Sequence, residues 1–174
     1  AENAFRTLMN GITTMQSLGS PRDAELRAWI DRGEIPAPRL LSSLGAVNEN
    51  TGTPDEIRTY VRRLADDGAD VVKIFASASI REGGAQVMTD EQLRAVCGEA
   101  TRVGLRTVAH AYGTESITAT IEAGCGGIEH GTRFSDEVLD LMAERGTYLG
   151  LLWANYVDNK DRCLGRSNYT EEGF

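Results

Sequence analysis

With 174 residues, 41% of them hydrophobic and 6% aromatic, the chain suffices for one globular core and is too short for two large domains. Its 18 basic and 26 acidic residues are interspersed and leave a net charge of −8, which argues against nucleic acid or an anionic membrane as partner. The longest apolar run, residues 149–154, cannot span a bilayer, and no basic-then-apolar segment suggesting secretion opens the sequence.

From the first residues onward the chain alternates helix-like and strand-like segments, punctuated by glycine. A helix-like stretch, Glu2–Met9, precedes Gly11 and a β-rich run at 12–17. Gly33 precedes a second run at 39–43. Thr53-Pro54-Asp55-Glu56 then combines a capping box with proline at the first helical position, and Ile57, Val61, Leu64 and Ala65 follow at helical spacing. Gly68 closes that helix, and the run at 71–76 is the third strand. Thr89-Asp90-Glu91-Gln92 opens the next helix, with Leu93, Val96, Ala100 and Val103 on its apolar face, and Gly104 leads into a strand at 106–111. Gly124 precedes a strand at 127–130. Ser135-Asp136-Glu137 opens a helix carrying Val138, Leu141 and Met142, and Gly146 precedes a last strand at 148–153. Each glycine suits a left-handed helix cap. Short, continuous apolar strands between helices imply a parallel sheet covered on both faces.

The spacing of the glycines gives about 27 residues per unit, so eight units need about 216, near the roughly 250 of a (β/α)₈ barrel. The sequence therefore reads as one domain over 1–174, a partial barrel of about six parallel strands with flanking helices; an open sheet also accepts six. Both ends look cut within a unit, so the expected piece is the middle of a barrel. Cys97, Cys125 and Cys163 have no Cys-x-x-Cys spacing and are expected to be isolated thiols of a cytoplasmic protein.

Three strands end on residues that a buried strand does not ordinarily carry. Lys73 lies five residues after Gly68, while His110 and His130 lie six after Gly104 and Gly124. These positions share one level near the C-terminal ends of successive strands, where parallel α/β proteins gather their ligands. A lysine in an apolar strand is costly unless its charge is removed or paired. Lys73 could reach solvent at the sheet edge, form a Schiff base after activation by burial, or react with carbon dioxide to give a carbamate whose two oxygens bridge metal ions. Two histidines aimed into the same mouth favour metal, since neutral imidazole is a good zinc donor.

The segments Val72-Lys73-Ile74-Phe75-Ala76-Ser77, His110-Ala111-Tyr112-Gly113 and Ile128-Glu129-His130-Gly131-Thr132 resemble the amidohydrolase superfamily. The similarity is greatest to the branch holding imidazolonepropionase-like proteins and Xaa-Pro dipeptidases. Gly11-Ile12-Thr13-Thr14, the run from Arg32 to Arg39 and Met142-Ala143-Glu144-Arg145-Gly146 extend it over nearly the whole chain.

The resemblance implies a binuclear metal-dependent hydrolase of amide or peptide-like C–N bonds, in which a metal-bridging hydroxide attacks the substrate. Carried over, Lys73 is the carboxylated bridging ligand of two divalent ions, most simply zinc, and His110 and His130 are metal ligands. Tyr112 lies beside the metals and steadies the tetrahedral intermediate. The family's His-x-His pair and its aspartate have no counterpart in this sequence, so the 174 residues taken alone are expected to be inactive. Arg81 and Arg133, in loops after the lysine and second histidine strands, are candidates for binding a substrate carboxylate. Glu129, next to His130 in a strand, is expected to face the other way. The expected partner is a small amide or dipeptide-like molecule, with room for a homo-oligomer. A Schiff-base lyase on a similar barrel and a catalytically incomplete barrel fragment are the rival readings.

Overall fold

The computed structural model describes residues 2–131 and 134–150. Their elements alternate along the chain: α1 (Glu2–Met9), β1 (Thr14–Ser17), α2 (Asp23–Asp31), β2 (Arg39–Ser42), β3 (Ala46–Val47), α3 (Pro54–Asp66), β4 (Val71–Phe75), α4 (Asp90–Arg102), β5 (Arg106–Ala111), α5 (Thr114–Glu122), β6 (Gly127–His130), α6 (Asp136–Arg145) and β7 (Tyr148–Gly150). All the strand pairs are parallel, and strand order follows chain order: β1 beside β2, and β3 through β7 side by side. This is the expected partial barrel, an α/β layer in which each strand hands over to a covering helix.

The local signals act where the sequence places them. Thr53 and Glu56 form a reciprocal capping box at the start of α3, and Thr89 and Gln92 form one at the start of α4. Glycines 11, 33, 68, 104, 124 and 146, following the six helices, all have positive φ, between 65° and 85°.

Side chains alternate across the sheet. On its outer face Val72, Ile74, Ala109, Ala111 and Ile128 join one core with Ile57 and Val61 of α3, Leu93 and Val96 of α4, Ile117 and Ile121 of α5, and Val138 and Met142 of α6. Each fully buried Val, Leu or Ile contributes about 1.5–3 kcal/mol, so this face anchors the sheet. The other face of β4 carries Val71, Lys73 and Phe75.

The expected strand at 39–43 is present as β2, which ends at Ser42. Leu44 takes φ 54°, its N–H donates to Ser42 Oγ at 3.0 Å, and Ser42 Oγ in turn donates to buried Asp23 at 2.8 Å. Beyond β2 the chain turns and forms the short, unpredicted β3 against β4. Polar side chains on a strand and a neighbouring helix hold this turn, and periodicity does not register them. The last expected strand is present as β7; its continuation to residue 153 lies outside the described residues.

The thiols correct the sequence expectation. Cys97 on α4 and Cys125 before β6 form a disulfide, with Cα atoms 5.0 Å apart and positions 28 apart in sequence. The fold of α4, β5 and α5 brings the two positions together, a proximity that short-range cysteine spacing does not encode. Cys163 lies outside the described residues. Among those described, no helix is long and apolar enough to cross a membrane.

A polar clasp joins α3 to α4. Arg62 Nε donates to Glu99 Oε1 at 2.7 Å and Arg102 Nε to the same atom at 2.8 Å, with a further bond from Arg102 Nη2. Glu99 is 5% exposed, and its two guanidiniums hold the carboxyl down at about 2.

Candidate active site

At the C-terminal ends of β4, β5 and β6 the structure brings together Lys73, His110, Tyr112 and His130. Lys73 is in the middle of β4 and 5% exposed, with its Nζ 4.9 Å from the centroid of the Phe75 ring. His110 lies in register with Phe75 on one side and Glu129 on the other. The His110 and His130 rings stand 4.8 Å apart, edge to face at 80°. Tyr112 stacks on His130 at 4.8 Å and 10°, and meets His110 edge-on at 4.9 Å. Three rings thus surround one point beside a buried amine.

Strict alternation sets Glu129 and His130 on opposite sides of β6. His130, however, has φ 76°, a left-handed conformation that is unusual for a non-glycine residue. That twist turns the imidazole back toward His110 and Tyr112. Glu129 keeps its place in the row of His110 and is close enough to Lys73 for their charges to act on each other. The expectation that Glu129 faces away is therefore corrected: it shares the site's side of the sheet. Gly150, its register partner on β7, leaves room for the carboxylate, since a Cβ there would collide with it.

The electrostatics favour neutral donors. Burial lowers the Lys73 amine below its ordinary value, partly offset by Glu129. Burial and then the Lys73 charge lower His110, against a weak contact of Nε2 with the Ala78 carbonyl at 3.4 Å. His130 is pushed down to about 4 by burial, by His110 and by Lys73. Both imidazoles are therefore neutral at pH 7 and present lone pairs, the state in which histidine binds metal.

A divalent ion fits this donor set: two neutral imidazoles at adjoining strand ends, beside an amine whose depressed basicity favours carbamate formation. Among the described residues no three His, Cys, Asp or Glu side chains converge, so the set is partial.

A cleft of about 490 Å³ opens onto His110, lined by Phe75, Ser77, Ser79, Val87 and residues 48 and 49 of the turn after β3. That size suits a small organic substrate. Glu82 lines it too, whereas Arg81 sits exposed in the 3₁₀ turn Ile80–Glu82 and is not part of the lining. Arg133, and Asn155 and Tyr156 further on, lie outside the described residues. Phe75, Ser77, Gly84 and Glu129 are site residues that sequence reasoning did not assign; the Gly83-Gly84 pair was the one visible signal for this loop.

Residues 2–165 match the model of the amidohydrolase family. Among solved structures, a Xaa-Pro dipeptidase with bound methionine in the active site superposes with a TM-score of 0.83 at 27% identity, over 99% of this chain and 50% of that one. Ochratoxinase of Aspergillus niger is 32% identical over 64% of this chain and 26% of its own length. An uncharacterized protein of Mycobacterium tuberculosis is 37% identical over 80% of this chain and 40% of its own. The chain thus spans between a quarter and a half of these relatives. It belongs to the amidohydrolase family.

Proposed function

We propose, from this membership, that the chain supplies part of the active site of a metal-dependent hydrolase that cleaves an amide C–N bond in a small, dipeptide-like substrate. The observation that carries the reading is the pair of neutral imidazoles, 4.8 Å apart, beside the buried Lys73. His110 and His130 would each hold a divalent ion through a ring nitrogen, with zinc the simplest choice for such donors. Lys73 would join them as a carbamate, formed when Nζ adds to carbon dioxide and loses a proton, giving an anionic oxygen donor for the metal. When bound, the ions supply Lewis acidity and a lowered pKa for water at neutral pH.

The chain's other residues position and stabilise. Tyr112, packed against both imidazoles, donates its hydroxyl proton in a hydrogen bond to the substrate carbonyl oxygen as that oxygen gains negative charge. Water oxygen adds to the carbonyl carbon, the C–N bond breaks, and the amine departs with a proton. Phe75 and Val87 form apolar wall in the cleft, while Arg81 and Arg133 are the candidate cations for a substrate carboxylate. The family's His-x-His pair and aspartate have no counterpart in this sequence, so a full ligand set would need donors from outside it.

The deciding experiment is metal analysis and turnover of the whole protein on a panel of dipeptides and N-acyl amino acids, before and after chelation. Hydrolysis that disappears on chelation and returns with zinc is the expected result. Turnover indifferent to chelators, together with borohydride trapping of a carbonyl substrate on Lys73, would replace this reading with Schiff-base chemistry.

A further inference from the structure

We infer that the loop between β4 and α4 is a template for the site, and that Gly84 and Ser77 are positioning residues acting through Tyr112. The inference rests on the hydrolase reading for its kinetic consequence and on the structure for its geometry.

Besides the bonds from Ala76 and Ser77 N–H to the His110 carbonyl, which continue the strand pairing, further contacts run from this loop to the segment of residues 110–113. Tyr112 N–H donates to Ser77 Oγ at 3.2 Å. Gly113 N–H donates to the Gly84 carbonyl at 3.2 Å. His110 Nε2 faces the Ala78 carbonyl at 3.4 Å. The strand end is therefore tied, residue by residue, to one neighbouring loop, in addition to the bonds that the Gly113 carbonyl accepts from Ser116 and Ile117 of α5.

The loop is itself rigidly built. Ala78 N–H donates to the Ala85 carbonyl at 2.9 Å and Gly84 N–H to the Ser79 carbonyl at 3.0 Å. Ser77 and Gln86 form an antiparallel bridge, and Ser79 and Glu82 cap the turn between them. Such a closed loop delivers Gly84 to a fixed place.

At that place only glycine fits. Gly84 is buried, has φ 68°, and a Cβ there would stand 2.7 Å from the Cβ of Tyr112. Any side chain at 84 strains the loop and pushes on Tyr112 at the root of its ring. The ring can respond by leaving its stack on His130, and catalytic groups tolerate little displacement: about 1 Å can cost roughly 10²-fold. Gly84 therefore sets where the Tyr112 hydroxyl stands.

The test is a double-mutant cycle in the whole enzyme. Tyr112→Phe is expected to lower kcat and kcat/KM together by about 10²-fold, as loss of a donor to developing charge does. Gly84→Ala is expected to lower both by about 10-fold or more in the wild-type background, and by less than about 2-fold once Tyr112 is Phe. Equal factors in both backgrounds would mean that Gly84 merely supports the fold, and would overturn the inference. Ser77→Ala, which removes the acceptor for Tyr112 N–H without strain, gives the same non-additive pattern and serves if Gly84→Ala folds poorly.

A readout independent of turnover separates this inference from the functional reading. The stacked Tyr112 ring shifts the His130 ring protons upfield in the NMR spectrum, and Tyr112→Ala identifies that shift. Gly84→Ala is expected to reduce it. Unchanged His130 signals overturn the positioning role whatever the enzyme does. A changed signal in a protein that hydrolyses no amide supports the positioning role and sinks the hydrolase reading alone.

Discussion

Replacing Glu99 with Gln tests whether the Arg62–Glu99–Arg102 clasp holds α4 against α3. The carboxyl is 5% exposed and lowered from 4.5 to about 2 by its two guanidiniums. At about 1.4 kcal/mol per pH unit, that depression corresponds to at most about 3 kcal/mol. Arg62 and Arg102 are 47% and 60% exposed, so solvent screens the interaction and about 1–2 kcal/mol is the expected contribution. For a domain of this size that is a fall in Tm of about 3–6 °C at pH 7. The sign in pH follows from a folded-state pKa below the unfolded one. The stabilisation is fully present above about 4.5 and drains away as pH falls toward 2. Melting curves of wild type and Glu99→Gln from pH 7 to pH 2 should therefore converge toward the acid end. Equal Tm values at pH 7, or a gap that stays constant to pH 2, would show that the clasp is a surface ornament without energetic weight.

Lys73→Ala should abolish amide hydrolysis and lower bound zinc in the whole enzyme; retained zinc-dependent turnover would remove Lys73 from the metal site. Denatured but unreduced protein should leave Cys97 and Cys125 unalkylated and gain two hydrogens in mass on reduction, whereas free alkylation of both would disprove their disulfide. Ile74→Ala, at a fully buried site on the helix-facing side of β4, should cost about 2–5 kcal/mol by cavity formation, read from urea unfolding; a loss below about 1 kcal/mol would mean that the sheet–helix core repacks freely.

The helix–strand alternation and most element positions were legible because the signals are local. Thr53, Thr89 and the glycines after each helix mark boundaries by backbone chemistry alone, and Lys73, His110 and His130 stand out against the strands that carry them. What escaped the sequence depends on groups brought together from afar. Asp23 of α2 accepts from Ser42 at the end of β2, and Cys97 meets Cys125 across the rest of α4, β5 and α5. The positive φ of His130, which no β-strand pattern contains, reverses one side chain and makes the naive inside–outside assignment of Glu129 fail. Gly84 looked like part of a flexible loop, and only its contact with Tyr112 gives it a role.

Because each paired strand lies beside a sequence neighbour, within β1–β2 and within β3–β7, almost every contact that builds these sheets closes a loop of one unit. The chain pays the entropy of closure in small, similar instalments and never needs a distant segment before the next pair can form. Such a piece can begin ordering at any unit and spread in both directions, as solenoids do. Its folding rate should depend on the best unit rather than on the whole, and the β4–α4–β5 unit, with its capping box, buried core and close loop, is the natural place for that start.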